Sequence, residues 1–155
     1  MSTPIADRAA SQHAVLALVP PGGREPLDEV LDRVVAALQS GFSHYTGVYV
    51  YWLDGGTLVL RAFRGRPTDH TRIPVGQGIC GRAAREKQTV LVDDVNADPA
   101  YLACSLETKS EIVVPVMRGT EVLGEIDIDS DVPAAFTEAD REFLERLAFL
   151  IAARA

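Results

Sequence analysis

A chain of 155 residues, 47% of them apolar, has enough material for one domain with one hydrophobic core. Its net charge of −7 argues against nucleic acid or anionic lipid as a partner, because neutralising phosphates requires clustered Lys and Arg. The longest apolar run near the N-terminus, residues 14–20, is too short to span a bilayer and lacks the flanks of a secretory signal. Two cysteines are too few for a disulfide scaffold, so we expect reduced thiols in a cytoplasmic protein.

The chain divides into an N-terminal extension, residues 1–23, and a single domain, residues 24–155. The first 19 residues have the composition of a short helix, which the sequence PPGG that follows would end. Two interpretations stay open for this extension, namely a mobile segment or a contact with a partner subunit, as in a homodimer.

The domain begins with an amphipathic helix, since apolar residues recur at steps of three and four from Leu27 to Leu38. Residues 45–53 and 57–63 are rich in aromatic and β-branched side chains and flank a glycine turn, which predicts a β-hairpin. Pro74 cannot donate to a sheet ladder, so the short strand predicted at residues 71–75 belongs at an edge or a strand end.

The second half of the chain holds further predicted elements in this order: a short helix at 79–87, a brief strand at 89–92, a long loop at 96–109, and a hairpin with strands at 110–117 and 121–129. Thr137 and Asp140 then resemble a capping box at the start of a terminal helix. This order predicts an α+β fold with a central antiparallel sheet flanked by helices.

The segment GQGICG, residues 76–81, formally matches the G-x-G-x-x-G pattern of dinucleotide-binding proteins. That pattern normally follows a buried apolar strand, whereas the strand here is short and interrupted by Pro74. We therefore interpret the glycines as turn residues that allow close backbone approach. Cys80, near the first turn of the following helix, is either a buried, inert thiol or a thiolate favoured by the helix dipole.

Acidic residues gather on the last strand, where Glu125, Asp127 and Asp129 alternate onto one face. They form either a solvated face or a ligand site. Asp is rare in strands and like charges repel, so the second interpretation implies a cation, such as the amine of a ligand. Glu111 shares this face if it lies opposite Asp127 or Asp129, which we expect to require an odd-length loop near Gly119 with a positive φ.

Cys104 lies in a polar loop, where an inert core role is less natural than for Cys80. We expect five side chains to meet in one pocket: Cys80, Cys104, Glu111, Asp127 and Asp129. The cysteines and the three histidines (His13, His44 and His70) show no spacing typical of metal ligands, so no metal site is predicted.

Several separated motifs resemble those of the free methionine-(R)-sulfoxide reductases, a branch of the GAF domains. They are RIPVGQGICGRAA, VLVDDV, YLACSLETKSEIVVPV, VLGEIDIDS and FTEAD, in this order within residues 27–151. The resemblance implies a GAF fold and thiol-dependent reduction of free methionine-(R)-sulfoxide. It also implies thioredoxin as the external reductant and no bound cofactor.

The resemblance further implies these roles: Cys104 as nucleophile, Glu111 as catalytic and substrate-binding acid, Asp127 and Asp129 as substrate-binding acids, and Tyr45 and Tyr49 as an aromatic wall of the substrate pocket. One position departs from the family, because the cysteine that usually resolves the sulfenic acid is matched by His70. Three alternatives follow: Cys80 takes over resolution, an external thiol attacks Cys104 directly, or the chain has kept the pocket and lost the cycle.

The alternative function is a GAF module that binds a small ligand as a sensor, without chemistry. A sensor needs an output domain to regulate, and a chain of 155 residues is expected to hold only one domain. The sequence therefore favours the enzyme.

Overall fold

A computed structural model describes residues 5–99, 101 and 107–155 of the chain. The helices are α1 (Ile5–Leu16), α2 (Leu27–Gly41), α3 (Gly78–Glu86) and α4 (Glu138–Arg154), with a short 3-10 helix at Val95–Ala97. The strands are β1 (Gly47–Asp54), β2 (Thr57–Gly65), β3 (Arg72–Pro74), β4 (Val90–Val92), β5 (Ser110–Arg118) and β6 (Glu121–Ser130). The α+β class is confirmed, and no described helix is long and apolar enough to cross a membrane.

The six strands form one sheet in the order β3-β2-β1-β6-β5-β4, and every neighbouring pair is antiparallel. Pro74 lies in the edge strand β3, as its missing N–H requires. The sheet is not the parallel one on which dinucleotide-binding folds depend, which argues against that interpretation of GQGICG. Gly76 lies in a turn, as predicted, whereas Gly78 and Gly81 lie in α3.

Helices α2 and α4 pack against one face of the sheet, while α3 contacts β3, β4, β5 and β6. The helix-side core includes Val34, Leu38 and Leu147, which are fully buried. Of the N-terminal extension, α1 packs against α2 and α4, and Val15 joins this core. A second apolar cluster, the site-side core, contains Ile79 and other residues of α3.

The hairpin of β5 and β6 sets the register of the acidic residues. Arg118 pairs with Glu121, so the turn has two residues rather than the odd number predicted, although Gly119 does have the predicted positive φ of 60°. The register then shifts by one residue at a β-bulge around Leu123. Because of this bulge Glu111 lies opposite Asp129, which confirms the predicted shared face while correcting the predicted loop.

Candidate active site

The acidic residues of β6 are buried beneath α3, not solvated. Glu125, Asp127 and Asp129 are exposed by 0%, 4% and 5%, and Glu111 by 6%. Strand alternation places the three β6 acids on one face, opposite Tyr51, Tyr49 and Gly47 of β1. Four buried carboxyl groups on one sheet face indicate a ligand site, because burying a charge without a partner is costly.

Cys80 joins these acids from the opposite side of the pocket. Its Sγ lies 3.2 Å from Asp127 Oδ2, and the thiol donates to this carboxylate. The sulfur of Cys80 and one carboxylate oxygen from each of Glu111 and Asp127 all lie within 4.8 Å of one another. A small cavity of about 20 Å³, bordered also by Tyr51 and His70, opens between them. This volume holds about one water molecule, so a larger ligand requires the lining atoms to move apart.

The GQGICG turn positions Cys80 by bringing two backbone segments into contact. The backbone N–H of Gly76 donates to the carbonyl of Gly81 at 2.9 Å. A Cβ at Gly81 would lie 2.8 Å from both the nitrogen of Gly76 and the carbonyl oxygen of Pro74, closer than real Cβ atoms approach. Only glycine fits at position 81, as the sequence predicted, and α3 therefore presses Cys80 against β6.

Burial raises the pKa of Glu111 well above its ordinary value, and the charges of Asp127 and Asp129 raise it further. Burial and the charge of Asp127 likewise raise the pKa of Asp129 strongly. Burial also raises the pKa of Asp127, but hydrogen bonds from Glu111 and Cys80 oppose the rise. The three acids are buried close together, so they titrate as one coupled group with raised pKa values.

The structure favours a buried, protonated thiol at Cys80 over the thiolate that the helix dipole would favour. Burial raises the pKa of the Cys80 thiol well above its ordinary value, and the charges of Asp127, Glu125 and Glu111 add to the rise. These effects outweigh the helix dipole at the start of α3, because a fully buried group near several acids strongly disfavours a thiolate.

Glu125 is a buried acid that the sequence placed on the acidic face but did not assign to the site. Both of its carboxyl oxygens lack a hydrogen-bond partner in the described structure. Burial raises its pKa well above the ordinary value, the Cys80 thiol opposes this in part, and the charge of Asp127 adds to it. The strand period of two, counted back from Asp127, is the signal that identifies Glu125.

We expect Glu125→Gln to stabilise the protein at high pH. A raised folded-state pKa makes stability greatest below the unfolded pKa of about 4.3, and stability falls as pH rises toward the folded pKa. The amide of the variant cannot titrate. The free energy of unfolding of the variant, relative to wild type, should therefore rise by about 1.4 kcal/mol for each unit by which folding raises the pKa of Glu125. The free energy of unfolding, measured in urea at about pH 5 and about pH 8, checks this, with Glu121→Gln on the exposed end of β6 as control. An advantage equal at both pH values would contradict the prediction.

Tyr45, expected in the aromatic wall, lies on the other side of the sheet. It precedes β1, packs in the helix-side core, and its hydroxyl donates to Asp140 Oδ1 at 2.6 Å. Tyr49 does lie on the site face, opposite Asp127. Tyr51, which the sequence did not assign, borders the cavity, and its hydroxyl donates to the backbone carbonyl of His70 at 2.7 Å. The structure thus brings Tyr49 and Tyr51 to the acids but not Tyr45.

Cys104, the expected nucleophile, lies outside the described residues, so its predicted place in the pocket stays a prediction. The nearest described residues on either side are Tyr101 and Glu107. Tyr101 packs against the site-side core, and Glu107 forms a 2.9 Å ion pair with Arg66. The backbone carbonyl of Arg66 accepts a hydrogen bond from Tyr49 on the acidic face. Both flanks of the segment that contains Cys104 therefore lie on the site side of the sheet.

The residues described include a group that could hold a metal ion, which the sequence did not predict. Cys80, Glu111 and Asp127 are far apart in sequence and lie on α3, β5 and β6. Metal-ligand motifs are recognised by short spacing, so no local signal could have found this group. Only the antiparallel pairing of β5 with β6 and the close packing of α3 bring its members together.

Comparison with known protein families identifies a GAF domain over residues 24–153. The free methionine-R-sulfoxide reductase of Saccharomyces cerevisiae is 44% identical to this chain over 110 residues. That alignment covers 70% of this chain and 61% of the yeast protein. The chain therefore spans about three fifths of the length of this relative.

Two solved structures of free methionine-R-sulfoxide reductases are also similar to this chain. A type II free methionine-R-sulfoxide reductase from Thermoplasma acidophilum is 41% identical, with a TM-score of 0.78, over 82% of this chain and 93% of that one. The free methionine-R-sulfoxide reductase of Neisseria meningitidis, solved in complex with its substrate, is 32% identical, with a TM-score of 0.89. The match to the Neisseria protein covers 99% of this chain and 92% of that one.

Proposed function

Because the chain belongs to the GAF-domain family, in the branch of the free methionine-R-sulfoxide reductases, we propose that it reduces free methionine-(R)-sulfoxide to methionine. The observation that carries this proposal is the buried acidic face of β5 and β6. Its carboxyl groups have no cationic partner among the described side chains that border the cavity. The α-ammonium group of a free amino acid supplies such a cation, which a methionine within a peptide chain lacks.

The proposed nucleophile is Cys104. Its sulfur attacks the sulfoxide sulfur, the S–O oxygen passes to Cys104 as a sulfenic acid, and methionine leaves as the thioether. The thiol loses one proton and the transferred oxygen gains one, so the step is balanced. Glu111 is suited to deliver this proton, because burial and the charges of Asp127 and Asp129 raise its pKa well above the ordinary value.

Cys80 is the proposed resolving residue. Its thiol attacks the sulfenic acid, which forms a disulfide between Cys80 and Cys104 and releases water. A thioredoxin dithiol then reduces this disulfide and is itself oxidised, so the cycle needs no bound cofactor. The position of Cys80 beside Asp127 supports this role, since the carboxylate can accept the thiol proton as attack begins.

A coupled assay tests the proposal. With thioredoxin, thioredoxin reductase and NADPH, we expect NADPH consumption when free methionine-(R)-sulfoxide is added and little with the S epimer. Methionine should accumulate in proportion to the NADPH oxidised. Absence of methionine formation with the R epimer, in the presence of thioredoxin or a small dithiol, would contradict the reductase function. Activity with the small dithiol but not with thioredoxin would contradict only the choice of thioredoxin as the reductant.

A further inference from the structure

We propose that Cys80, Glu111 and Asp127 form a binding site for a divalent transition cation of the zinc class, and that the bound cation excludes substrate from the pocket. The three residues offer one sulfur and two carboxylate oxygens, all within 4.8 Å of one another. Zinc bonds of about 2.0–2.3 Å place tetrahedral ligands roughly 3.5 Å apart, so modest side-chain rotations would close the site.

The sulfur and the two carboxylate oxygens determine which class of cation the site would bind. A thiolate ligand favours zinc, copper or iron over magnesium and calcium, which prefer oxygen ligands alone. Two carboxylates added to one thiolate suit a borderline ion such as Zn²⁺, which accepts sulfur and oxygen together. His70 borders the same cavity.

A second, independent observation indicates a cation at this place. Several buried carboxyl oxygens lack a hydrogen-bond partner in the described structure: both of Glu125, Oδ1 of Asp127 and Oδ1 of Asp129. No Lys or Arg is among the described residues that border the cavity. Its volume of about 20 Å³ is large enough for a single ion without the lining atoms moving apart. A divalent cation would compensate more of this buried charge than one ammonium group does.

Binding of the cation is a proton exchange and not a redox step. The Cys80 thiol and any protonated carboxyl ligand release their protons to solvent as the metal bonds form. The consequence for activity rests on the proposed function. The cation would bind the carboxylates that are proposed to bind the substrate and the thiol that is proposed to attack the sulfenic acid. Free Zn²⁺ should then act as an inhibitor that competes with methionine sulfoxide.

Cobalt substitution tests the binding directly, without reference to activity. We expect Co²⁺ added to the reduced, metal-free Cys104→Ser chain to give a near-ultraviolet thiolate-to-cobalt band that saturates at one ion per chain. Cys80 is then the sole cysteine. The Cys80→Ser chain should lack the band while retaining the far-ultraviolet circular dichroism of the folded protein. Glu111→Gln, which keeps both thiols, should weaken cobalt binding at least tenfold.

Two results would overturn the metal site. One is absence of the band in the Cys104→Ser chain, and the other is a band of full intensity in the Cys80→Ser chain. If Cys80→Ser failed to fold, unchanged cobalt affinity in Glu111→Gln would still reject the site. The reductase proposal is judged separately, because the Cys104→Ser chain is expected to bind cobalt while it releases no methionine.

Discussion

Cys104→Ser should abolish methionine release even in a single turnover. A hydroxyl group cannot be oxidised as a thiol can, so the variant has no group at this position that accepts the sulfoxide oxygen. The measurement mixes reduced enzyme with excess methionine-(R)-sulfoxide in the absence of any external reductant and quantifies free methionine. Wild type should release about one methionine per chain, and the variant none. Methionine release by Cys104→Ser at the wild-type level would overturn the mechanism.

Cys80→Ser is the matched control for this experiment. The serine hydroxyl can replace the thiol as the donor to Asp127, so the pocket should keep its shape. The first turnover should therefore persist, while cycling with thioredoxin slows. Mass spectrometry of the oxidised wild type should show a bond between Cys80 and Cys104, which requires their Cα atoms to approach within about 7 Å. Normal cycling by Cys80→Ser would reject Cys80 as the resolving residue and indicate that an external thiol attacks Cys104.

The acidic face could be predicted from sequence because a strand has a fixed period of two. Counting along β6 places Glu125, Asp127 and Asp129 together without any knowledge of the fold. The face that Glu111 shares with Asp127 and Asp129 was predicted correctly, but through the wrong loop. The turn is even, and a bulge beside Gly124 restores the register. Gly124 packs directly under the Tyr51 carbonyl, a tertiary contact that the sequence pattern does not reveal.

Tyr45 shows where strand alternation stops being informative. Tyr45 lies an even number of residues before Tyr49, so a continuous strand would place both side chains on one face of the sheet. The strand begins only at Gly47, however, and the chain turns before Gly47. Its hydroxyl is instead fixed by Asp140, which also accepts the backbone N–H of Thr137 at the start of α4. The capping box was predictable from local sequence, whereas its link to a tyrosine 95 residues away was not.

The site buries carboxyl groups while no Lys or Arg is among the described residues that border the cavity, and burying acids in this way costs free energy. Asp127 and Asp129 each keep one oxygen without a partner, and both lie beside Glu111 on the same face. Buried polar groups without a hydrogen-bond partner are rare in natural proteins, and they are often found at functional sites, where a ligand can bind them. We therefore expect the acidic face to determine which substrates the pocket accepts.

Acetylation of the substrate amine should nearly eliminate turnover. N-acetylmethionine-(R)-sulfoxide carries no ammonium group, so it brings no cation to the buried carboxyl groups of Glu111, Asp127 and Asp129 when it binds. Each unpaired buried group costs about 1–3 kcal/mol, and more if it is charged. We therefore expect kcat/KM for the acetylated compound to fall at least about 100-fold below that of the free amino acid. Methionine production from the two compounds, measured at equal enzyme concentration, checks this.

The methyl ester of methionine-(R)-sulfoxide is the matched control, because it keeps the ammonium group and removes only the carboxylate charge. We expect it to be a better substrate than the acetylated compound, since the acidic face attracts cations. Asp129→Asn should narrow the gap between the kcat/KM values of the free and acetylated substrates, because one of the acids proposed to bind the ammonium group is gone. Equal turnover of free and acetylated substrate by the wild type would show that these acids do not bind the amine, and their burial would then need another cause.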